Sequence, residues 1–240
     1  MITVSIVILG ALNQKVDFQY LSKWPSSILK IKLGGSIALL PNTTGSSWEY
    51  TDKQLLKLIE WDKSSNFTVA LINAPLQDNY YARPLNEKIC VMSFYQMAQI
   101  IIGNNFSIEQ YILRNIYELA VLVACNGGNI PANPMEWIHD DIRGCLFDMN
   151  PNKTEIICSM HKPVLCPQCR ARLSQAQLEP LFIPTLEREL SKIKKTLYAR
   201  IADWIKAHPL WTLLITAIYG ILLNLIASLV FEVMRVVFLK

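Results

Sequence analysis

Between His139 and Cys169 the chain gathers four of its six cysteines and two of its three histidines. Thiolates and imidazoles at this density are donors for a soft divalent cation. The sharpest element is Leu165-Cys166-Pro167-Gln168-Cys169-Arg170. A C-x-x-C turn places two thiolates on one tetrahedral ion, and the backbone N–H groups of the turn can donate to the sulfurs. Two further ligands come from His139, Cys145, Cys158 and His161. Cys158 and His161 form a compact C-x-x-H, but Ile156-Ile157-Cys158 reads as a strand end, where a cysteine is core. The stretch His139-Asp140-Asp141-Ile142-Arg143-Gly144-Cys145 reads as a loop that presents its side chains. The favoured set is therefore His139, Cys145, Cys166 and Cys169, with Asp140 able to stand in for His139. Four protein ligands close a zinc site, which makes it structural rather than catalytic. The rival for Cys166 and Cys169 is a redox pair, because Arg170 to Gln177 reads as a helix that follows the motif. Cys90 and Cys125 sit in apolar runs and read as core thiols.

The elements that must carry this cluster read as a mixed α/β body. Strands are predicted over Ile2 to Leu9, Ile28 to Ile31, Ile37 to Leu40, Phe67 to Ile72 and Lys88 to Phe94. Asp52 to Trp61 has helical spacing. Phe106 to Ala124 reads as one long helix with Ser107 as its N-cap, ended by Gly127-Gly128. Asn126 to Pro134 is loop, rich in Gly, Asn and Pro. Asn79-Tyr80-Tyr81-Ala82-Arg83 is polar and aromatic and suits a ligand or a partner, as does Arg143 beside Cys145. Phosphate-binding glycine loops and the G-x-S-x-G elbow are missing from the sequence.

The order of these parts resembles the archaemetzincin-like branch of zinc peptidases. That resemblance implies a helix bearing HExxH, a third His before a Cys, and a structural knuckle ending in CPxC and a short basic helix. Leu165-Cys166-Pro167-Gln168-Cys169-Arg170-Ala171-Arg172-Leu173 and Cys145 match the knuckle, with His139 or Asp140 before them. The matching helix would carry Tyr117-Glu118-Leu119-Ala120-Val121, with Glu118 at the general-base position and Tyr117 and Val121 in place of the two His ligands. A peptidase zinc needs imidazole or carboxylate ligands and an open water position. Val121 has no ligand atom, so the resemblance implies a zincin-like fold kept after its active site was lost.

Composition points to a membrane. Hydrophobic residues make up 52% and charged residues 18% of 240, with a mean hydropathy of +0.25. Soluble domains carry about 25% charge. The net charge of +4 is small and dispersed, which argues against nucleic acid as a partner. The apolar excess lies in Leu210 to Phe231, LWTLLITAIYGILLNLIASLVF, which has no charged residue. As a helix it would reach roughly 33 Å, enough for a hydrocarbon core of about 30 Å. Trp211 suits the headgroup region; His208 and Pro209 mark the entry, and Glu232, Arg235 and Lys240 the exit. The apolar start, Met1 to Leu12, lacks a basic region and a cleavage site and reads as a buried strand rather than a signal peptide.

Thr185 to His208 holds six Lys and Arg against three acidic residues, so the positive-inside tendency places the N-terminal body in the cytoplasm. Leu186, Leu190, Ile193, Leu197, Ile201, Trp204 and Ile205 form a helical stripe through the same segment. It suits packing on the body, lying on anionic lipid, or pairing with a copy of itself. Within the span, Thr212, Thr216, Gly220, Asn224 and Ser228 recur every four residues. An amide in hydrocarbon favours a facing helix, so self-association is expected through Ala217, Gly220, Asn224 and Ala227.

The expected architecture is an α/β (α+β) zincin-like cytoplasmic domain over 1–178, with a structural zinc knuckle at 139–173. A basic amphipathic helical stalk over 179–208 and one transmembrane helix with a short tail over 209–240 follow it. The expected role is non-catalytic: a self-associating membrane protein whose body binds a cytoplasmic protein partner and whose output is at the bilayer, as in a pore-forming or depolarising effector of anti-phage defence. The alternatives are a membrane-tethered zinc metallopeptidase with a divergent site and a passive tail-anchored adaptor.

Overall fold

The computed structural model describes residues 1–44 and 48–238. Lys240, expected at the exit of the apolar span, lies outside the described residues. The chain divides into two compact units, Met1–Lys194 and Lys195–Lys240.

The first unit is built on a five-stranded sheet. Its strands are β1 (Ile2–Leu9), β2 (Leu29–Ile37), β3 (Phe67–Ile72), β4 (Ala82–Pro84) and β5 (Ile89–Ser93), in the order β2-β1-β3-β5-β4. All neighbours are parallel except β4, which runs antiparallel to β5 along one edge. Every residue of β3 and β5 is buried, as expected of strands covered on both faces. The pleat sorts them: Phe67, Val69 and Leu71 join one apolar cluster, while Ala70 and Ile72 join the other. Cys90 is core as expected, and burial pushes its thiol up.

Nine α-helices accompany the strands among the described residues. They are α1 (Phe18–Ser22), α2 (Asp52–Leu58), α3 (Met97–Gly103), α4 (Ile108–Cys125), α5 (Ile156–Met160), α6 (Pro167–Gln175), α7 (Phe182–Leu190), α8 (Leu197–Ala207) and α9 (Pro209–Phe238). Ser107 caps α4 with a complete capping box, its side chain accepting from the Gln110 N–H while the Gln110 amide oxygen accepts from the Ser107 N–H. Gly127 and Gly128 end it with positive φ, and the Gly128 N–H donates to the Val123 carbonyl at 2.9 Å. Between these caps almost every side chain is buried, so α4 is the central helix of the unit.

Four expectations differ from the structure. The segments at Ile28 and Ile37 are one strand, β2, rather than two. The edge strand β4 carries Pro84 and is too short to show an alternating pattern. Ile156-Ile157-Cys158 begins the short helix α5, not a strand end. The stripe from Leu186 to Ile205 is not one stalk. Leu186, Leu190 and Ile193 are buried in the body's core, and the division between units falls after Lys194 rather than at 178.

A buried carboxylate holds α7 in place. Glu189 is 1% exposed and accepts from Ser26 Oγ at 2.5 Å, the Ser27 N–H at 2.6 Å and Tyr117 Oη at 2.8 Å. Tyr117 Oη in turn accepts from Trp24 Nε1 at 2.8 Å. Replacing Glu189 with Ala strands those donors, and a cost of about 3 kcal/mol is expected. Urea unfolding of the chain in detergent measures it; an unchanged midpoint would show that α7 docks by apolar contact alone.

The second unit contains α8 and α9. Pro209–Arg235 of α9 is long and apolar enough to cross a membrane, with a mean hydropathy of 2.3 over its most apolar part and none of that part buried.

Candidate metal centre

Four donors converge at the first turn of α6. His139, Cys145, Cys166 and Cys169 place one ligand atom each within 4.8 Å of one another, and the three sulfurs are buried. Local folding explains each position. Cys166 is the N-cap of α6 and Pro167 its first residue, which suits a proline because that position needs no N–H donor. The first turn brings Cys169 back, and its N–H donates to Cys166 Sγ at 3.5 Å. Cys145 sits beside Val164 in a short parallel bridge, and the Cys166 N–H donates to Cys145 Sγ at 3.4 Å. Gly144 takes φ +72°, and a Cβ there would stand 3.1 Å from the Cys158 carbonyl, so this tight approach favours glycine.

His139 completes the set from a second bridge, with Asp148. Its Nδ1 lies 3.0 Å from the Asp141 carbonyl and 3.4 Å from Asp148 Oδ1. Those acceptors assign the ring proton to Nδ1 and leave Nε2 free to bind a cation. Nε2 lies 3.6 Å from Cys166 Sγ. A tetrahedral zinc with ordinary bond lengths requires about 3.6 Å between a nitrogen and a sulfur ligand. Asp148 Oδ2 accepts from the N–H groups of Arg143 and Cys145 at 3.0 and 2.9 Å, which ties both halves of the loop to one carboxylate.

The electrostatics fit the same ion. Cys145 is held well below the ordinary thiol range, first by a hydrogen bond from the Cys169 thiol and then by backbone N–H groups, against the effect of burial. Cys169 is pushed up by the same contact and by burial. One proton between two buried sulfurs is what a divalent cation replaces. Three thiolates and one neutral imidazole around zinc carry a net charge of about −1. The Arg143 guanidinium, 3.8 Å from Cys166 Sγ and paired with Asp141, offsets it. The four residues therefore fit zinc, and four protein donors leave no open position for a reacting water.

Neither Cys158, which is exposed, nor His161 joins these atoms, and Asp140 is also outside the cluster. Helix α6 does begin at the C-x-x-C, as a redox motif would. Here, however, its two sulfurs share their site with Cys145 and His139.

The side chains matched to a peptidase motif behave differently. A cleft of about 600 Å³ lies beside the edge strand β4, and α4 lines it with Asn115, Glu118, Leu119 and Leu122. Tyr117 and Val121 are fully buried, and neither lines the cleft; Tyr117 belongs to the Glu189 network. Glu118 does reach the cleft, but it is ion-paired with Arg114 one turn earlier. Arg114 has no exposed surface; it also donates to Ser159 Oγ at 3.2 Å and to the Leu146 carbonyl at 2.7 Å. It joins α4 to α5 and to the loop of the metal centre. Its signal in the sequence is a single cation amid an apolar helix, where a buried charge must have a partner. Tyr80, Tyr81 and Arg83 line the same cleft, with Arg83 bonded to Asp52 at 2.8 Å.

Neither a family model nor a curated protein matches the chain. Among solved structures, an archaemetzincin from Archaeoglobus fulgidus, complexed with malonate, is similar with a TM-score of 0.46 and 11% identity; 71% of this chain and 99% of that chain are covered. An archaemetzincin from Methanopyrus kandleri has a TM-score of 0.46 and 10% identity, over 72% of this chain and 94% of that one. Both are named for the family that the Cys166 to Leu173 sequence resembles.

Proposed function

We propose that this chain is a membrane-anchored, zinc-stapled protein that works by association rather than catalysis. The observation that carries this reading is Glu118. Its carboxylate reaches the cleft but is committed to a fully buried arginine, and the other side chains that α4 contributes there are an amide and two leucines. The wall that α4 supplies offers no second or third ligand for a catalytic ion, and the cleft's other carboxylates, Asp52 and Asp78, are both paired with Arg83. Among the described residues, the donors that converge on one metal site form a closed set elsewhere. The cleft then serves as a surface for a protein partner, with Tyr80, Tyr81 and Arg83 at its wall.

The basic excess before α9 supports a cytoplasmic body with α9 as its anchor. Self-association is supported by Asn224, near the middle of the span. One of its amide donors bonds the Gly220 carbonyl at 3.3 Å, leaving a second donor and an acceptor for a facing helix. Ala217, Gly220 and Ala227 lie beside it and allow close approach. Several copies joined this way could form a polar path, and the depolarising effector role is the extension of that arrangement.

A passive adaptor is favoured by one observation: the hydroxyls of Thr212, Thr216 and Ser228 each donate to a carbonyl four residues earlier, so they need no partner helix. Asn224→Leu separates the readings. Energy transfer between labelled copies in vesicles is expected to fall by about fivefold in association constant. Expression of the parent chain in bacteria is expected to collapse the membrane potential, and the variant to spare it. Loss of association without any effect on potential leaves the adaptor; unchanged association removes Asn224 from the interface.

A further inference from the structure

We propose that α8 is an interfacial helix that lies in the headgroup layer of an anionic membrane, with its exposed apolar face in the lipid. The proposal rests on α9 being a membrane span and adds a second, separate lipid contact to it. At about 100° per residue, Leu197, Tyr198, Ile201, Trp204 and Ile205 fall within about 120° of the helix circumference. All five are exposed, between 42% and 83%. Large apolar side chains grouped on one arc and left in water need a cover.

Three features select lipid as the cover. The first is continuity: α8 ends at Ala207 and α9 begins at Pro209, with His208 alone between them. Once the span is inserted, the C-terminal end of α8 is held at the headgroup region. The second is side-chain type. The arc is bordered by Trp and Tyr, whose amphipathic rings prefer that layer, and the Trp204 ring lies tilted against His208 at 5.5 Å between ring centroids. The third is charge. Arg200 and Lys206 are exposed outside the arc, and Asp203, the helix's one acidic residue, is paired with Lys195 at 2.6 Å. A basic rim around an apolar, aromatic face is the pattern of helices that lie on anionic lipid.

The test uses the full chain in vesicles of phosphatidylcholine, or of equimolar phosphatidylcholine and phosphatidylglycerol, containing lipid brominated near the carbonyl. Subtracting the Trp204→Phe and Trp211→Phe variants isolates each indole. Trp204 emission is expected to be blue-shifted, quenched by brominated lipid and protected from aqueous acrylamide, more so in the anionic vesicles. Arg200→Gln and Lys206→Gln should each lower the ratio of lipid-quenched to acrylamide-quenched Trp204 by about fivefold. If Trp211 is quenched by lipid but Trp204 only by acrylamide, the span stands and the proposal falls. If neither indole senses lipid, the membrane reading fails and takes the proposal with it. Protection of Trp204 from both quenchers, with cross-linking between copies, would put a second chain on this face instead. Equal quenching in both vesicle types, unmoved by the charge variants, would refute recognition of anionic lipid.

Discussion

Replacing Cys166 with Ser is expected to release a bound zinc ion and lower the melting temperature of the body by about 10 °C. Cys166 does more than any other donor in the cluster. Its sulfur caps α6, accepts from the Cys169 N–H, faces His139 Nε2 at 3.6 Å and receives the Arg143 guanidinium. A metal that binds only the folded form stabilises it by about 4 kcal/mol at a thousandfold excess over its dissociation constant. For a unit of this length each kcal/mol moves the melting temperature by about 2–4 °C. Metal analysis should give one zinc per chain for the parent and none for Cys166→Ser. Cys158→Ser, at an exposed thiol outside the cluster, should change neither value.

The pH dependence of that stabilisation has a fixed sign. The loaded site holds three thiolates, whereas the unfolded chain holds three thiols at every pH below about 8. The unfolded state therefore binds more protons, and stability rises with pH. The parent should lose its advantage over Cys166→Ser progressively as acid protonates the sulfurs. A parent that melts at the same temperature with and without exhaustive chelation, at neutral pH, would show that the cluster folds without metal and that zinc is not its staple.

The metal centre could be read from sequence because its information is local. A C-x-x-C turn fixes the distance between two sulfurs whatever surrounds it, and Cys145 and His139 stand on a short loop that folds back on the same turn. The ends of α4 could be read for the same reason, since Ser107, Gln110, Gly127 and Gly128 act within one turn. What could not be read was anything set by distant neighbours. The face that α4 turns toward the cleft depends on packing, which sends Glu118 to the cleft and buries Tyr117 and Val121 away from it. The stripe from Leu186 to Ile205 looked continuous because helical periodicity persists through it. Its division depends on Glu189 meeting Ser26 and Ser27, more than 160 residues earlier in the chain. Edge strand β4 was missed because three residues ending in proline carry no alternation.

Arg114→Met is expected to cost the body about 3–5 kcal/mol, because it leaves the Glu118 carboxylate without its cation. The fold also loses the donors to Ser159 Oγ and the Leu146 carbonyl. Glu118→Gln keeps an acceptor beside the guanidinium and should cost less, about 1–2 kcal/mol. Arg114→Met combined with Glu118→Leu removes both charges and should recover a good part of the loss, since an apolar pair can replace a buried ion pair. Thermal unfolding of Arg114→Met, of Glu118→Leu alone and of the double variant closes the cycle and gives the coupling directly. The pH profile checks the cause. Burial raises the Glu118 carboxyl, and Arg114 opposes that. Without Arg114 the carboxyl rises further, so the folded variant holds a proton that the unfolded chain releases. Stability of Arg114→Met should then fall as pH rises through the carboxyl range and approach that of the parent in acid. The same residue decides the chemistry. If Glu118 serves Arg114, Glu118→Gln shifts stability and leaves peptide hydrolysis at background, as in the parent. A hydrolytic activity in the parent that Glu118→Gln abolishes without moving the melting temperature would make Glu118 a general base and overturn the non-catalytic reading.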